Sequence, residues 1–225
     1  MKSLRFISTL FAVVMLLSAC SNKSNTNIPS ARIIRYEQDL FNIDKDNLKE
    51  GLLELQESYP VFLSGDLNDT LNLIQLSEYL SDPMIIEFYN DCNEKYPDLT
   101  FLEKELGILK YNYTNAFPDA DTFSIYTYVS GLDFTHPVVF LDSMMLIALD
   151  MYLGPEYEHY DKLGIPRYIS NRFTSDHIAR DAAHAVAGRN ISQNKDNSLL
   201  AKMIADGKVL FAIEQLLPEL HKNII

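Results

Sequence analysis

The fold turns on residues 122–149, TFSIYTYVSGLDFTHPVVFLDSMMLIAL. Phe123, Ile125, Thr127 and Val129 alternate there with Ser124, Tyr126 and Tyr128. A period of two in β-branched and aromatic residues predicts a strand with one face on a core. Gly131 and Asp133 predict a turn. Residues 138–141 and 146–149 are two more short apolar runs. Three such runs in succession predict a small, mostly antiparallel sheet.

Outward from the sheet the pattern becomes helical. On the N-terminal side, residues 44–59 place Leu48, Leu52, Leu53 and Leu55 on one side and stop at Pro60. Residues 71–80 predict a second helix. Pro83 opens a third, where its missing N–H costs nothing, and Ile85, Ile86 and Phe88 carry it to Tyr96. Asp98 or Thr100 caps a fourth, running to about Asn115. On the C-terminal side helices resume near Pro166, over 175–189 and over 197–217. In the last, Leu199, Leu200, Met203, Ile204, Leu210 and Phe211 share a face. Gly207 lies on it, which permits close packing or marks a break. The class is α+β, with helices flanking the sheet.

Composition bounds the function. The chain has 225 residues, 47% of them hydrophobic, and a net charge of −12. That apolar content suffices for one sizeable core, a single domain over 31–225. The charge excludes a phosphate-binding surface for nucleic acid and repels anionic lipid headgroups. Membrane attachment therefore calls for a covalent anchor.

The N-terminus supplies one. Lys2 and Arg5 precede an apolar run over 6–17, which is of signal-peptide length and too short to span a bilayer. Leu17-Ser18-Ala19-Cys20 follows and resembles a lipobox. Cleavage of the signal at 1–19 would leave Cys20 to carry diacylglycerol and an acylated amino group. Each buried CH₂ contributes roughly 0.8 kcal/mol, so two or three chains anchor stably. Ser21 and Asn22 follow the cysteine, with no inner-membrane retention Asp, which points to the outer membrane. Loss of Lys2 and Arg5 takes the formal charge from −12 to −14. Residues 20–30 read as a flexible polar tether, and the absence of an acidic run after Cys20 favours the periplasmic leaflet. Cys92 is then the single free thiol, and its helical context between Phe88 and Tyr96 reads as a small buried residue.

Chemistry-bearing motifs are sparse. The chain has no phosphate-binding loop, dinucleotide fingerprint, nucleophile elbow or CxxC pair. His177, Asp181 and His184 fall at i, i+4 and i+7, on a stripe bordering the apolar face of their helix. Two imidazoles and a carboxylate would suit zinc with an open position. Ile178 stands where a metalloprotease helix carries its general base, so such a site would activate water poorly. The simpler reading is two ion pairs, His177–Asp181 and Asp181–His184. No catalytic, cofactor or metal residue is assigned on this basis. Tyr152, Tyr157, Tyr160 and Tyr168 either close the core over loops or stack on sugars and partners.

Several blocks together resemble the gliding-motility lipoprotein family GldB of the Bacteroidota. They are residues 35–44 (RYEQDLFNID), 77–97 (SEYLSDPMIIEFYNDCNEKYP), 126–134 (YTYVSGLDF), 148–157 (ALDMYLGPEY), 160–168 (YDKLGIPRY) and 203–218 (MIADGKVLFAIEQLLP). The lipobox at Cys20 matches too. The resemblance implies a non-enzymatic envelope lipoprotein that acts through contacts with motility or type IX secretion-associated proteins. It also implies a fold similar to a degenerate zincin, with the 175–189 helix in the active-site place and no HExxH. The alternatives are a metal-dependent hydrolase with an atypical ligand set and a glycan-binding surface lipoprotein. Family members usually continue beyond the block at 203–218. A shortened copy would leave the last helix underpacked and the domain marginally stable or oligomeric.

Overall fold

Residues 33–35 are too short to display alternation, yet they form a strand, β1 (Ile33–Arg35). The computed structural model describes residues 29–141, 143–191 and 198–218. The expected signal peptide, Cys20 and most of the expected tether lie outside the described residues.

β1 runs directly into α1 (Tyr36–Phe41). A single 3₁₀ turn, Lys45–Asn47, then leads into α2 (Leu48–Ser58). Aspartates start the next helices by satisfying otherwise unpaired N–H groups. Asp69 accepts from Leu71 N at 3.0 Å at the start of α3 (Thr70–Ser81). Asp82 accepts from Met84 N at 2.7 Å at the start of α4 (Pro83–Lys95). Asp98 accepts from Thr100 N at 3.0 Å at the start of α5 (Thr100–Ala116).

The sheet is completed by β2 (Ser124–Tyr128), β3 (Val138–Leu141) and β4 (Met144–Ala148), in the order β1-β2-β4-β3. β1 and β4 run parallel to β2, and only β3–β4 is antiparallel. The sheet is therefore mixed, which corrects the mostly antiparallel expectation. A tight turn would have forced β2 and β3 to be neighbours. Residues 129–137 instead let the chain step over one strand position, about 5 Å wide, and β4 fills the gap. Parallel β1–β2 pairing needs a long crossover, and α1 to α5 provide it.

After β4 come a 3₁₀ turn (Leu149–Tyr152), α6 (Glu158–Lys162), α7 (Arg167–Ser170), α8 (Ser175–Asn190) and α9 (Leu199–Leu216). α8 packs on β3, α5 and α9. Its inner face is Ile178, Ala179, Ala182, Ala183 and Val186, all fully buried, and the small residues allow close approach. The main core joins this face to Leu102, Leu106, Ile125, Met145 and Ile147. A second cluster around Leu40, Leu52, Leu63 and Leu80 receives Tyr126 and Tyr128 from β2, so β2 is covered on both faces.

α9 packs through Ala201, Ile213 and Leu216. The apolar stripe from Leu199 to Phe211 points away, its members 50–75% exposed. Gly207 neither breaks the helix nor admits a neighbour, since an added Cβ would meet open space.

The N-terminal segment crosses α5 at Gly107. A Cβ there would lie 2.3 Å from the Pro29 carbonyl oxygen. Ala31 N donates to Glu103 O at 2.9 Å on the same helix.

Candidate functional site: a cationic groove beside α8

The stripe on α8 does not converge on a metal. Asp181 Oδ1 accepts from Arg172 at 3.0 Å, and Oδ2 accepts from the Tyr152 hydroxyl at 3.0 Å. His177 Nδ1 pairs with the Thr174 hydroxyl at 2.8 Å. Burial holds the His177 imidazole below its ordinary pKa, against the pull of Asp181. His184 is exposed and makes no hydrogen bond or ion pair with any described residue. The expected ion pairs of Asp181 with the two histidines are not formed; Arg172 and Tyr152 are the partners within reach of the carboxylate.

Among the described residues, the metal-type side chains that do cluster are Glu87, Glu158 and His159. His159 Nε2 lies 3.1 Å from Glu87 and 3.7 Å from Glu158. Lys162 already holds Glu158 at 2.9 Å, and both glutamates are exposed. Glu87 lies far from the other two in sequence, so no local spacing signalled the group.

The tyrosines divide. Tyr152 and Tyr160 are fully buried and serve the core. The Tyr160 hydroxyl donates to Asp150 O at 2.7 Å and accepts from Leu153 N at 3.1 Å. Tyr157 is partly buried and donates to Asp91 at 2.6 Å. Tyr168 is 76% exposed. Cys92 is fully buried, and burial pushes its thiol pKa well up, which makes it a poor nucleophile.

Tyr168 stands beside a groove of about 480 Å³ between the 134–138 segment, α7, α8 and Leu210 of α9. Phe134, Ile169 and Leu210 help form its apolar walls, and Arg172, Arg180, Asp181 and His184 its polar lining. Arg172 is neutralised by Asp181. Arg180 is part-buried and has no hydrogen-bond or ion-pair partner among the described residues. Arg180 and His184, four residues apart, share a helix face. The groove thus holds a guanidinium with no partner among the described residues, between apolar walls, in a chain of net charge −12. Arg180 escaped the sequence reading, although its place on the His177–His184 stripe was visible there.

One wall is fixed from the core. Asp150, fully buried, accepts from Ser130 N and Leu132 N at 3.0 and 2.8 Å and from the Ser130 hydroxyl at 3.0 Å. Gly131 and Leu132 have φ of +75° and +65°. For leucine that left-handed conformation is strained by about 1–2 kcal/mol, which the carboxylate offsets. The loop so held leads to Phe134 and Thr135 in the groove.

Residues 19–225 match a family model described as gliding motility protein GldB. No curated protein and no solved structure matches the chain. The zincin-like character expected for the fold accordingly has no solved relative behind it, and α8 brings no ligand set together.

Proposed function

Because the chain belongs to the GldB family of gliding-motility lipoproteins, we propose that it is a lipid-tethered envelope protein acting by protein contact rather than catalysis. In this reading the precursor is cut before Cys20, the cysteine is acylated, and the domain sits at the outer membrane facing the periplasm. Its partners are proteins of the motility or type IX secretion-associated machinery. No helix among the described residues is long and apolar enough to cross a membrane.

The observation that carries the contact reading is the state of the Asp181 carboxylate. Both oxygens are held, by Tyr152 and Arg172, and the carboxylate does not converge with His177 and His184 on one point. The groove beside them is a surface with cationic and apolar character.

The test is complementation in a strain lacking the chromosomal copy. A Cys20→Ala chain should lose labelled-palmitate incorporation and fail to restore motility. A His177→Ala chain, altered outside the groove lining, should restore it fully. Failure of that variant, folded and lipidated, would overturn the non-catalytic reading.

A further inference from the structure

We infer that the groove between α7, α8 and the 134–138 segment is a docking site for an acidic, partly apolar peptide segment, with Arg180 as its anion-reading residue. The inference rests on the contact reading above and gives the partner a chemistry.

Four observations lead to it. First, Arg180 lines the groove with no partner among the described residues. A part-buried guanidinium loses hydration, and an arriving carboxylate restores its hydrogen bonds in a bidentate pair. Second, the other charged groups that line the groove are accounted for. Asp181 is committed to Arg172 and Tyr152, and the His184 imidazole lies on the same side as Arg180. The surplus in the groove is therefore positive, against a chain of −12. Third, the walls are apolar. Phe134 and Tyr168 are 43% and 76% exposed, and Leu210 is 50% exposed. A free phosphate gains nothing from them and a neutral sugar chain leaves the Arg180 charge unmatched, whereas leucine or phenylalanine beside an acidic residue meets both. Fourth, about 480 Å³ accommodates a few residues of extended peptide and falls within the range of formed ligand sites. An anionic membrane surface is disfavoured, because the rest of the chain is acidic and one arginine is too little to offset that.

Arg180 acts here by binding alone, and no bond is made or broken. The carboxylate pairs with the guanidinium, His184 adds a hydrogen bond, and the flanking apolar side chains displace water from Phe134, Tyr168 and Leu210.

The test uses the full chain purified in detergent and fluorescein-labelled, N-acetylated decapeptides alternating Asp or Glu with Leu or Phe. Control peptides carry Asn and Gln in place of the acids. Fluorescence anisotropy should show binding to the acidic set that weakens at least tenfold for the amide set. It should weaken about as much for Arg180→Gln and fall with added salt. Arg180→Gln should keep the wild-type melting temperature, because no described residue pairs with Arg180. A Lys49→Gln chain, altered on α2 outside the groove lining, should bind as wild type. Equal binding of acidic and amide peptides, or unchanged binding by Arg180→Gln, would overturn the inference. So would binding to phosphatidylglycerol vesicles and to no peptide. Photo-crosslinking from Tyr168 in cells separates the two readings. If Arg180→Gln leaves captured envelope proteins unchanged, the groove assignment falls and the contact reading stands. If no envelope protein is captured by either chain, the contact reading falls too.

Discussion

Asp150 accepts the backbone N–H of Leu132 at 2.8 Å and so holds a leucine at φ +65°, in a conformation usually left to glycine. The pair links a fully buried carboxylate at the end of β4 to the loop that walls the groove.

Asp150→Asn should therefore destabilise the chain by about 2–4 kcal/mol, because an amide turns an N–H₂ group toward donors that need an acceptor. Leu132→Gly removes backbone strain and the buried side chain at once. Its net cost should stay below that of Asp150→Asn. Urea unfolding of the two variants gives the ranking, and a milder Asp150→Asn would refute the role assigned to the carboxylate.

A second buried charge lies between the two apolar clusters. Glu37, 1% exposed, accepts from Arg35 Nε at 2.7 Å and from the Thr127 hydroxyl at 2.8 Å. Arg35 also donates to Tyr96 O at 2.6 Å, tying β1 to the end of α4. Glu37→Ala leaves a largely buried guanidinium, 14% exposed, without its counter-charge and should cost about 2–4 kcal/mol. Adding Arg35→Met should recover part of that loss. Additive costs in a double-mutant cycle would contradict the coupling.

Glu105 Oε2 is buried without a hydrogen-bond partner among the described residues. Burial, then the nearby Asp176, raises its pKa above the ordinary carboxylate value. The folded state thus binds the proton more readily than the unfolded state. Stability falls as pH rises from the unfolded value, about 4.3, through the raised folded value. Glu105→Gln should raise the melting temperature by about 2 °C at pH 7.5, allowing for the partial exposure of the group. The advantage should shrink toward pH 4. A gain that persists at pH 4 would assign the effect to something other than charge.

Gly107 is required by the main chain crossing it. Gly107→Val would drive a side chain into Pro29 and Ser30 and should release residues 29–31 from α5. Hydrogen exchange at Ala31, protected now by its bond to Glu103 O, should rise by at least tenfold.

The helices from α2 to α5 are legible in the sequence because their signals are local. Asp69, Asp82 and Asp98 accept N–H groups two residues on, and Pro83 occupies a first turn. The inner face of α8 is equally legible from Ile178, Ala182 and Val186. Strand order is not, because pairing Ile33 with Ile125 bridges the whole helical half of the chain. Nor is the direction α9 faces, since Leu199 to Phe211 has the pattern of a buried stripe and is exposed. At the site, His177, Asp181 and His184 were visible by spacing. Their fate was decided by Tyr152 and Arg172, which the chain brings in from separate turns.

The anchoring of residues 29–31 along α5 also fixes a leash length. If Cys20 carries the lipid, eight residues separate it from Pro29, and the nine fully extended Cα–Cα steps span at most about 32 Å. The domain would then be moored by the flank of one helix, with its rotation restricted at the mooring point. The mooring point itself would stay within that distance of the bilayer, while the rest of the domain pivots about it. Lengthening the leash by a Gly-Ser insert would widen this search volume without altering a single contact surface.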